Sequence, residues 1–490
     1  MQNHKYEFAG KTVLVMGLGR FGGGVDVAMF AHGAGAKVIV TDLASAEQLS
    51  DSINRLRDLD GIEFRLGSHA PADFEQTDII VANPAVPGDN KFLQIARRAK
   101  RFVTSQINIF FELCPAKIIG ITGANGKSTT TAMTAHLLKN TTSDSVIASE
   151  AKQSQATQYA LRDTQYEKVW LSGNIGNQPL LTTIDQIGQN DLVVLELSSF
   201  QLEQLAEIQK APDVAMLTNL TPNHLDRHGT FANYCAAKEN IFKFQKPNGN
   251  RAAVSIFNAE DKIAAEWFEK YKNEAGRICI KFSADDVGDE LRERFALPGR
   301  ANLSNLAGAM AIAGLFDVTD DDIKNALPAF KALPHRLELV ETINGISWYN
   351  DSKATTPEGA ITALDAFEQP TIIIAGGYDK DIPFDKLGEK IAEKAKAAIL
   401  IGTTAPKIAS AINNTKTSLR AKRSNLQLRN TKIELADSLA DAVQLANQLA
   451  EAGDVVLLSP ACASYDMFEN YEQRGREFTR LVQETGNLRQ

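Results

Sequence analysis

The sequence is poor in cysteine and lacks any closely spaced cysteine pair. Its four cysteines, Cys114, Cys235, Cys279 and Cys462, lie far apart, so neither a zinc site nor a disulfide framework is indicated. No run reaches the ~18 apolar residues that would span a bilayer, and the first residues lead into a strand-like segment without the pattern of a signal peptide. We therefore expect reduced thiols and a cytoplasmic protein with no membrane partner.

Positive charge is also in deficit. Lys and Arg number 52 against 60 Asp and Glu, which gives a formal net charge of -8. This balance argues against a nucleic-acid groove as the main binding surface, so we expect a small-molecule substrate and no nucleic-acid partner. A length of 490 residues, 44% of them hydrophobic, allows more than one core and suggests about three domains.

A glycine-rich stretch follows an apolar run and opens a helical pattern at residues 120–130 (GITGANGKSTT). Its glycines let the backbone approach phosphate oxygens, Lys127 adds a positive charge, and the Ser128 hydroxyl can ligate Mg²⁺. Five residues separate Gly120 from Gly126 and two separate Gly123 from it, whereas the usual P-loop pattern has four. A glycine-rich turn that caps a helix is the alternative, but the Gly-Lys-Ser-Thr string favours a nucleoside triphosphate site.

A second glycine turn lies between two strand-like segments near the N-terminus. Gly17, Gly19 and Gly22 form a G-x-G-x-x-G pattern, and Asp42 lies 20 residues beyond Gly22, where a Rossmann fold places a ribose-binding carboxylate. The pattern alone suggests NAD, but any nucleotide diphosphate satisfies the same physics at a helix N-terminus. Asn83 follows a buried strand, either as a diphosphate contact or as a turn residue before proline.

Three polar residues downstream of the phosphate loop lie on or near apolar elements. Glu196 ends an apolar strand, where an acid that holds Mg²⁺ would lie; a salt-bridged core residue is the alternative. His224 shares a loop with a second histidine and an Asp, which suggests a metal or phosphate cluster, or solvated side chains. Lys238 shares a helix face with Tyr234 and Ile241, a position for which burial of the lysine stem alone is the common explanation.

Two polar segments without periodicity interrupt the pattern, at about 141–167 and about 413–430. The nucleotide string GTCATTGCGAGCGAAGCGAAGCAATC encodes residues 146–154 (VIASEAKQS), and the same string read one base later encodes residues 418–425 (SLRAKRSN). Our hypothesis is that both are copies of one mobile repeat, inserted in different frames and tolerated as surface loops. We expect both to be exposed and poorly ordered. Unrelated gene sequences at the two places would refute the common origin.

Strand-then-loop units recur through the last third of the chain, at about 371–380, 398–402 and 455–464, in alternation with helical patterns. The whole chain therefore reads as α/β, with open, mainly parallel sheets. Six strings occur in one order: 122–129 (TGANGKST), 173–176 (GNIG), 196–202 (ELSSFQL), 219–228 (NLTPNHLDRH), 350–355 (NDSKAT) and 458–464 (LSPACAS), the last followed by Arg474-Gly475. Taken together they resemble the Mur ligase family. The resemblance covers all but the two polar segments, and ELSSFQL resembles the D-glutamate-adding branch.

The resemblance implies three domains and a reaction. Residues 1–105 would form a Rossmann-like domain that binds a UDP-sugar rather than NAD, 106–332 a P-loop-type central ATPase domain, and 333–490 a Rossmann-like domain that closes over ATP and binds D-glutamate. The implied enzyme joins D-glutamate to UDP-N-acetylmuramoyl-L-alanine, with ATP as co-substrate, in peptidoglycan precursor synthesis. It is expected to act as a monomer.

The resemblance also implies site residues. The UDP-sugar would be held by Gly17, Gly19, Arg20, Phe21, Gly22, Asp42, Asn83 and Asn174. ATP would be bound by Gly123, Asn125, Gly126, Lys127, Ser128, Thr129, Asn302, Asn305, Arg336 and Asp351. D-Glutamate would be bound by Arg336, Ser198, Thr355, Lys380, Ser464, Tyr465 and Tyr471.

The implied chemistry brings two anions together, because an alanyl carboxylate attacks the γ-phosphate of ATP to give an acyl phosphate. Lys127 and two Mg²⁺ ions would supply the opposing charge, one ion held by Ser128 and Glu196 and the other by His224 and a carbamylated Lys238. A neutral buried amine can take up CO₂ and become a carboxylate-like ligand. The catalytic set implied is Lys127, Glu196, His224, Lys238 and Lys353.

Some positions depart from the family pattern. Ala301 stands where relatives usually have histidine, Leu43 and Ala44 replace polar residues, and Ala85 replaces a glycine. Two alternatives stay open. One is a sister Mur ligase or a folate-polyglutamate-type ligase with the same mechanism, and the other is a homologue that binds nucleotide without turnover.

Overall fold

A computed structural model describes residues 6–20, 22–140, 166–173, 175, 179–248, 251–421 and 431–487. Within these residues it contains three mainly parallel sheets, each with helices packed on it. The predicted α/β class with open parallel sheets is confirmed. In the part of the chain described, no helix is long and apolar enough to cross a membrane.

The first sheet has the strand order β3-β2-β1-β4-β5, with all strands parallel. Because β1 pairs with both β2 and β4, the order reverses beside it, and ligands of open α/β sheets bind at such switch points. The glycine turn after β1 lies there. The elements are β1 Thr12–Met16, β2 Lys37–Asp42, β3 Ile62–Leu66, β4 Ile79–Ala82, β5 Phe102–Thr104, α1 Gly23–Gly33, α2 Ser50–Asn54, α3 Pro71–Gln76, α4 Lys91–Arg98 and α5 Gln106–Leu113.

The second sheet has the order β11-β10-β9-β6-β8-β7, again parallel. Its strands are almost continuously apolar, as expected where helices cover both faces. The strands are β6 Lys117–Thr122, β7 Val169–Gly173, β8 Leu192–Glu196, β9 Val214–Leu217, β10 Ala253–Asn258 and β11 Arg277–Phe282. The helices from this region onwards are α6 Lys127–Lys139, α7 Ser199–Glu207, α8 Leu225–His228, α9 Phe231–Lys243, α10 Lys262–Tyr271, α11 Asp289–Arg294, α12 Arg300–Ala313 and α13 Asp320–Ala326.

The third sheet has the order β12-β13-β17-β14-β15-β16 and carries one antiparallel pair, β12 with β13, at its edge. That pair is a hairpin whose turn contains Asn344 and Gly345, both with positive φ, as tight hairpin turns favour. The elements are β12 Glu338–Ile343, β13 Ile346–Asn350, β14 Thr371–Gly376, β15 Ala395–Ile401, β16 Lys432–Leu435, β17 Val455–Leu458, α14 Pro357–Leu364, α15 Asp385–Lys394, α16 Ala405–Ala421, α17 Leu439–Leu449 and α18 Tyr471–Asn487.

The chain divides into two compact units. The first comprises residues 1–286 and 305–326 and contains the first and second sheets; the second comprises 287–304 and 327–490 and contains the third sheet. Within the first unit, one hydrophobic cluster is continuous from β1 and α1 through α5 to β8 and β9. The first and second sheets therefore share a core.

The two polar segments have different outcomes. Residues 141–165 of the first lie outside the described residues. For the second, the expectation of poor order from residue 413 is wrong at its start, because α16 continues to Ala421 and Thr415 is buried. The buried Ile408 and Ile412 anchor the earlier turns, and extending an established helix by polar residues requires little free energy compared with nucleating one.

Candidate functional site

The phosphate loop leads from β6 into α6 through two glycines with positive φ. Gly123 has a φ of 151° and Gly126, the N-cap of α6, has a φ of 80°. A Cβ atom at Gly126 would collide with Oδ1 of Asn305, and one at Gly123 would collide with Oγ1 of Thr218. Glycine is therefore required twice, by backbone conformation and by space.

Residues after β9 hold this loop from the side. The Ala124 N–H donates to the carbonyl of Asn219 (2.8 Å), and the Asn125 N–H donates to its side-chain Oδ1 (2.9 Å). In return the hydroxyl of Thr218 donates to the carbonyl of Asn125 (2.6 Å). These hydrogen bonds fix the shape of the loop. Lys127 Nζ donates to the Ala124 carbonyl (2.9 Å) from the first turn of α6.

Lys238 is buried on α9, with 2% of its surface exposed. Its Nζ donates to the hydroxyl of Thr122 (3.0 Å) and lies 5.1 Å from the ring centre of Tyr234. Burial, and then the charge of Lys127, lower the pKa of Lys238 well below its usual value, while Glu196 opposes the shift. The site therefore favours the neutral amine.

Glu196 and Ser128 are both buried, one at the end of β8 and the other in the first turn of α6. Glu196 ends β8 and pairs in register with Ile121 of β6, and 2% of its surface is exposed. Ser128 lies in the first turn of α6 and is 4% exposed. A carboxylate and a hydroxyl are oxygen ligands of the kind that Mg²⁺ prefers. In the described parts of the chain no group of three or more His, Cys, Asp or Glu is arranged to hold a metal, so a metal here needs the hydroxyl, substrate oxygens or a modified lysine as ligands.

His224 lies in the segment between β9 and α8. It is the N-cap of α8 in the left-handed region (φ 50°), and its ring lies 5.2 Å from that of Phe200. Desolvation, together with the charge of Lys127, lowers the pKa of His224, whereas Asp226 raises it. The neutral imidazole that results is the form that ligates metals.

The other residues of the central region predicted to bind ATP or D-glutamate form hydrogen bonds to α6 or to residues nearby in the chain, or are buried. Asn305 Oδ1 accepts a hydrogen bond from the Thr130 hydroxyl (3.2 Å), and Thr129 is buried in α6. Ser198 is the N-cap of α7, where its hydroxyl accepts from the Gln201 N–H (3.2 Å) in a capping box. In the second compact unit, Asn302 donates to the Pro298 carbonyl (2.8 Å).

The first glycine turn has positive φ at Gly17, Gly19 and Gly22 (90°, 64° and 86°). Asp42 Oδ2 accepts from the Gly19 N–H (3.1 Å), and Asn83 Nδ2 donates to the Gly17 carbonyl (3.3 Å). The structure thus brings both predicted contacts to the turn, where they hold its backbone. Arg20 is exposed, while Phe21 and Asn174 lie outside the described residues.

Asp26, which sequence reasoning missed, ties α1 to the second sheet. Its two carboxylate oxygens accept five hydrogen bonds: from the N–H groups of Leu180, Leu181 and Thr182, from the Thr182 hydroxyl, and from the Gln106 amide, at 2.6–3.1 Å. Asp26 is 4% exposed. No local pattern signals this contact, because its partners lie up to 156 residues away.

In the second compact unit, Asp351 follows β13 and is buried. It accepts from the Ser459 hydroxyl (2.8 Å) and the Leu337 N–H (3.2 Å). Burial raises the pKa of Asp351 to about 7, opposed by these hydrogen bonds and by the charge of Arg336. At neutral pH the carboxyl group is therefore poised between its two protonation states.

Tyr471 lies near two other predicted site residues of this unit, Lys353 and Arg336. Lys353 Nζ lies 5.3 Å from its ring centre, and desolvation raises the pKa of Tyr471 to about 12, opposed by the nearby Arg336. Thr355 is half-buried and Ser464 is buried, whereas Lys380 and Tyr465 are exposed. The structure thus associates Arg336, Asp351, Lys353 and Tyr471, and leaves Lys380 and Tyr465 at the surface of the unit.

Arg474, part of the Arg-Gly string, is a buried support of the same unit. It is 1% exposed and donates to the Ser352 hydroxyl (3.0 Å), the Ser352 carbonyl (2.9 Å) and the carbonyls of Cys462 and Ala463 (3.1 and 3.4 Å). Desolvation lowers the pKa of Arg474 to about 10. This guanidinium joins the segments that follow β13 and β17, which contain Asp351 and Ser464.

Comparison with known proteins agrees with the resemblance. Residues 121–313 match the model for the Mur ligase middle domain, and residues 335–462 match that for the Mur ligase glutamate ligase domain. The UDP-N-acetylmuramoylalanine--D-glutamate ligase of Roseiflexus sp. (strain RS-1) is 38% identical over 97% of this chain and 99% of its own. That of Acetivibrio thermocellus is 36% identical over 98% of each.

Solved structures resemble the fold at low sequence identity. MurF from Acinetobacter baumannii has a TM-score of 0.55 at 14% identity and covers 98% of this chain and 93% of its own. A pseudomurein peptide ligase type C from Methanothermus fervidus has a TM-score of 0.53 at 17% identity and covers 96% and 100%. Full-length relatives above 30% identity, and the two family models, lead to one conclusion: the chain belongs to the Mur ligase family.

Proposed function

We propose that this protein is an ATP-dependent ligase that joins D-glutamate to UDP-N-acetylmuramoyl-L-alanine and releases ADP and phosphate. The observation that carries the proposal is the full-length similarity to relatives named UDP-N-acetylmuramoylalanine--D-glutamate ligase, at 38% and 36% identity. The reaction would supply peptidoglycan precursor synthesis. Because ATP and nucleotide sugars are cytoplasmic substrates, we place the reaction in the cytoplasm, and we expect a monomer.

The central site suits the first chemical step, in which the alanyl carboxylate attacks the γ-phosphate and forms an acyl phosphate. The loop from Gly123 to Ser128 would bind the phosphates through backbone N–H groups at the N-terminus of α6. Lys127 would leave the Ala124 carbonyl and place its charge on the transferring phosphoryl group, where negative charge is greatest.

The residues present fit two Mg²⁺ ions and a carbamate. Ser128 and Glu196 would hold one ion, and His224 with carbamylated Lys238 the other. The buried, neutral amine of Lys238 supports the carbamate, because only an uncharged amine adds CO₂. When bound, the ions supply charge neutralisation between the two anionic reactants.

The second step is attack of the D-glutamate amine on the acyl phosphate, which forms the amide. Arg336 is proposed to fix a carboxylate of D-glutamate in a bidentate pair, with Ser198, Thr355, Lys380, Ser464, Tyr465 and Tyr471 as further contacts. Asp351, Lys353, Asn302 and Asn305 would contact the nucleotide.

The first sheet is proposed to bind the UDP-sugar within domain 1–105, through the turn at Gly17, Gly19 and Gly22. Positive φ at all three glycines supports close backbone approach to a diphosphate. Asp42 and Asn83 would serve the UDP-sugar from the positions in which they already shape the turn. The central domain would be 106–332 and the C-terminal domain 333–490.

Phosphate release by the purified protein tests the reaction. With UDP-N-acetylmuramoyl-L-alanine and ATP, release should depend on D-glutamate and not on L-glutamate, L-alanine or a diamino acid. Release with another amino acid would identify a sister ligase, and ATP binding without release would identify a nucleotide-binding homologue. Either result defeats the proposed function.

Substitution of Lys238 tests the carbamate. Lys238→Ala should nearly abolish ligation, and added acetate or formate should restore part of it by supplying a carboxylate ligand. Lys243→Ala, on the exposed face of the same helix, should keep wild-type activity and show no response to acetate. Full activity in Lys238→Ala without added carboxylate would contradict the metal-ligand role.

A further inference from the structure

Two glutamates one helical turn apart on α7 each pair with an arginine that reaches the loop after β4. Oε2 of Glu203 lies 3.8 Å from Nη2 of Arg227, and Oε1 of Glu207 lies 3.5 Å from Nη2 of Arg97. All four side chains line a cavity of about 600 Å³ between the first sheet and α7, with the 84–89 loop on its other side. This cavity lies within the first compact unit.

Arg227 makes the more elaborate contact. Its Nη1 donates to the Ala85 carbonyl (3.0 Å) and its Nη2 to the Val86 carbonyl (3.3 Å). Its guanidinium carbon lies 5.3 Å from the ring centre of Phe200 on α7. Arg227 therefore joins three elements: the 84–88 loop, α7 and its own helix α8.

Each of these three elements follows a residue of a candidate binding site. The 84–88 loop follows Asn83, whose amide donates to Gly17 of the first glycine turn. Helix α7 starts three residues after Glu196, and α8 starts directly after His224. A shift of any one element relative to the others would change the separation between the UDP-sugar turn and the phosphate loop.

We propose that Arg227 is a positioning residue for ligation, which holds the 84–88 loop in place against the helix that follows His224. In this way it presents the carboxylate of the UDP-sugar to the γ-phosphate. This proposal rests on the proposed function. Arginine is required because a planar guanidinium can donate to two carbonyls, pair with Glu203 and stack on Phe200 at once, whereas a lysine ammonium on a flexible stem cannot. Glu203 is partly exposed, and its carboxylate helps to keep the guanidinium in place through the 3.8 Å ion pair.

Arg97 provides a matched control. It too pairs with a glutamate of α7 and donates to a carbonyl of the same loop, that of Gly88 (2.5 Å). It belongs to α4, however, and so makes no direct link to the helix that begins after His224. Its loss should weaken packing without moving the reacting groups.

The experiment compares Arg227→Gln, Arg227→Lys and Arg97→Gln by steady-state phosphate release and by thermal unfolding. A displacement of about 1 Å of reacting groups lowers rates by about 100-fold, so we expect kcat/KM for the UDP-sugar to fall at least tenfold in Arg227→Gln, with KM for ATP within twofold of wild type. Arg227→Lys should recover part of the loss. Arg97→Gln should stay within threefold, with a Tm as low as that of Arg227→Gln.

Equal kinetic losses in Arg227→Gln and Arg97→Gln, or activity of Arg227→Gln within twofold of wild type, would overturn the proposal. If the wild type binds UDP-N-acetylmuramoyl-L-alanine in calorimetry but releases no phosphate with D-glutamate, the proposed function fails on its own. The positioning role is then decided by affinity for that UDP-sugar: a tenfold loss in Arg227→Gln alone supports it, and an unchanged affinity overturns it.

Discussion

Replacement of Asp26 by alanine should destabilise the first compact unit more than replacement of an exposed aspartate by alanine. The carboxylate accepts from three backbone N–H groups, one hydroxyl and one amide, at a site where the side chain is 4% exposed. Each buried N–H group left without an acceptor costs about 1–3 kcal/mol. The N–H groups of Leu180 and Leu181 are buried, whereas Thr182 is exposed and its N–H can bond to water. The two buried groups predict a loss of about 4 kcal/mol in the free energy of unfolding.

Asp26→Asn separates the two oxygens. An amide keeps one oxygen, which can still accept from the N–H and hydroxyl of Thr182, but it turns an NH₂ group toward the N–H groups of Leu180 and Leu181. The loss should therefore be about half to three-quarters of that in Asp26→Ala. Asp51→Ala, an exposed first-turn aspartate of α2, is the control and should change stability by less than about 0.5 kcal/mol.

Scanning calorimetry and amide hydrogen exchange measure the effect. At about 2 °C for each kcal/mol, the unfolding transition of the first unit should fall by about 8 °C in Asp26→Ala. Exchange should accelerate first at the amides of residues 180–182, because local opening no longer breaks their hydrogen bonds. A fall below about 2 °C, or unchanged protection of those amides, would refute the view that this carboxylate anchors the turn.

Further predictions concern the two candidate sites. Gly126→Ala should weaken ATP binding at least tenfold in calorimetry, because the new methyl group meets Asn305 and φ is 80°; binding within twofold of wild type would contradict this. Because burial raises the pKa of Asp351 to about 7, the folded state holds a proton that the unfolded state has already lost. Stability from this group is fully present below about pH 4 and declines as pH rises through 7. The fall in Tm over that range should be smaller in Asp351→Asn, and identical pH profiles would exclude the effect. Arg474→Lys should lower Tm by several degrees, since one ammonium cannot replace its four hydrogen bonds; an unchanged Tm would argue against that support.

The sequence predicts well those features that depend on local pattern. Apolar runs that end in glycine, glutamate or asparagine identify β6, β8 and β9 and bring Gly126, Glu196 and Asn219 to one sheet edge, because parallel strands end together. The period of α9 correctly indicates that Lys238 lies on an apolar face, and the structure finds it 2% exposed.

Features that depend on distant partners could not be predicted in this way. The hydroxyl of Thr122 contacts Lys238 across 116 residues, and Arg227 contacts Ala85 across 142. Strand order also cannot be predicted from the alternation of strands and helices, because many orders of a parallel sheet give the same alternation. The expectation of poor order from residue 413 is wrong for a related reason. The final polar turns of α16 extend a helix whose earlier turns are buried.

Two of the links between the first and second sheets use groups of opposite charge and restrain the same movement. Asp26 carries a carboxylate from α1 to backbone donors after β7, whereas Arg227 carries a guanidinium from α8 to backbone acceptors after β4. Between them lies a continuous apolar core, so a shift of one sheet against the other would break charged hydrogen bonds and expose buried apolar surface. These contacts restrain the separation between the glycine turn at Gly17 and the phosphate loop at Gly126. On the proposed function, two anions bound at these turns would be presented to each other without a search through solution, which would lower the entropic part of the barrier before any charge is neutralised.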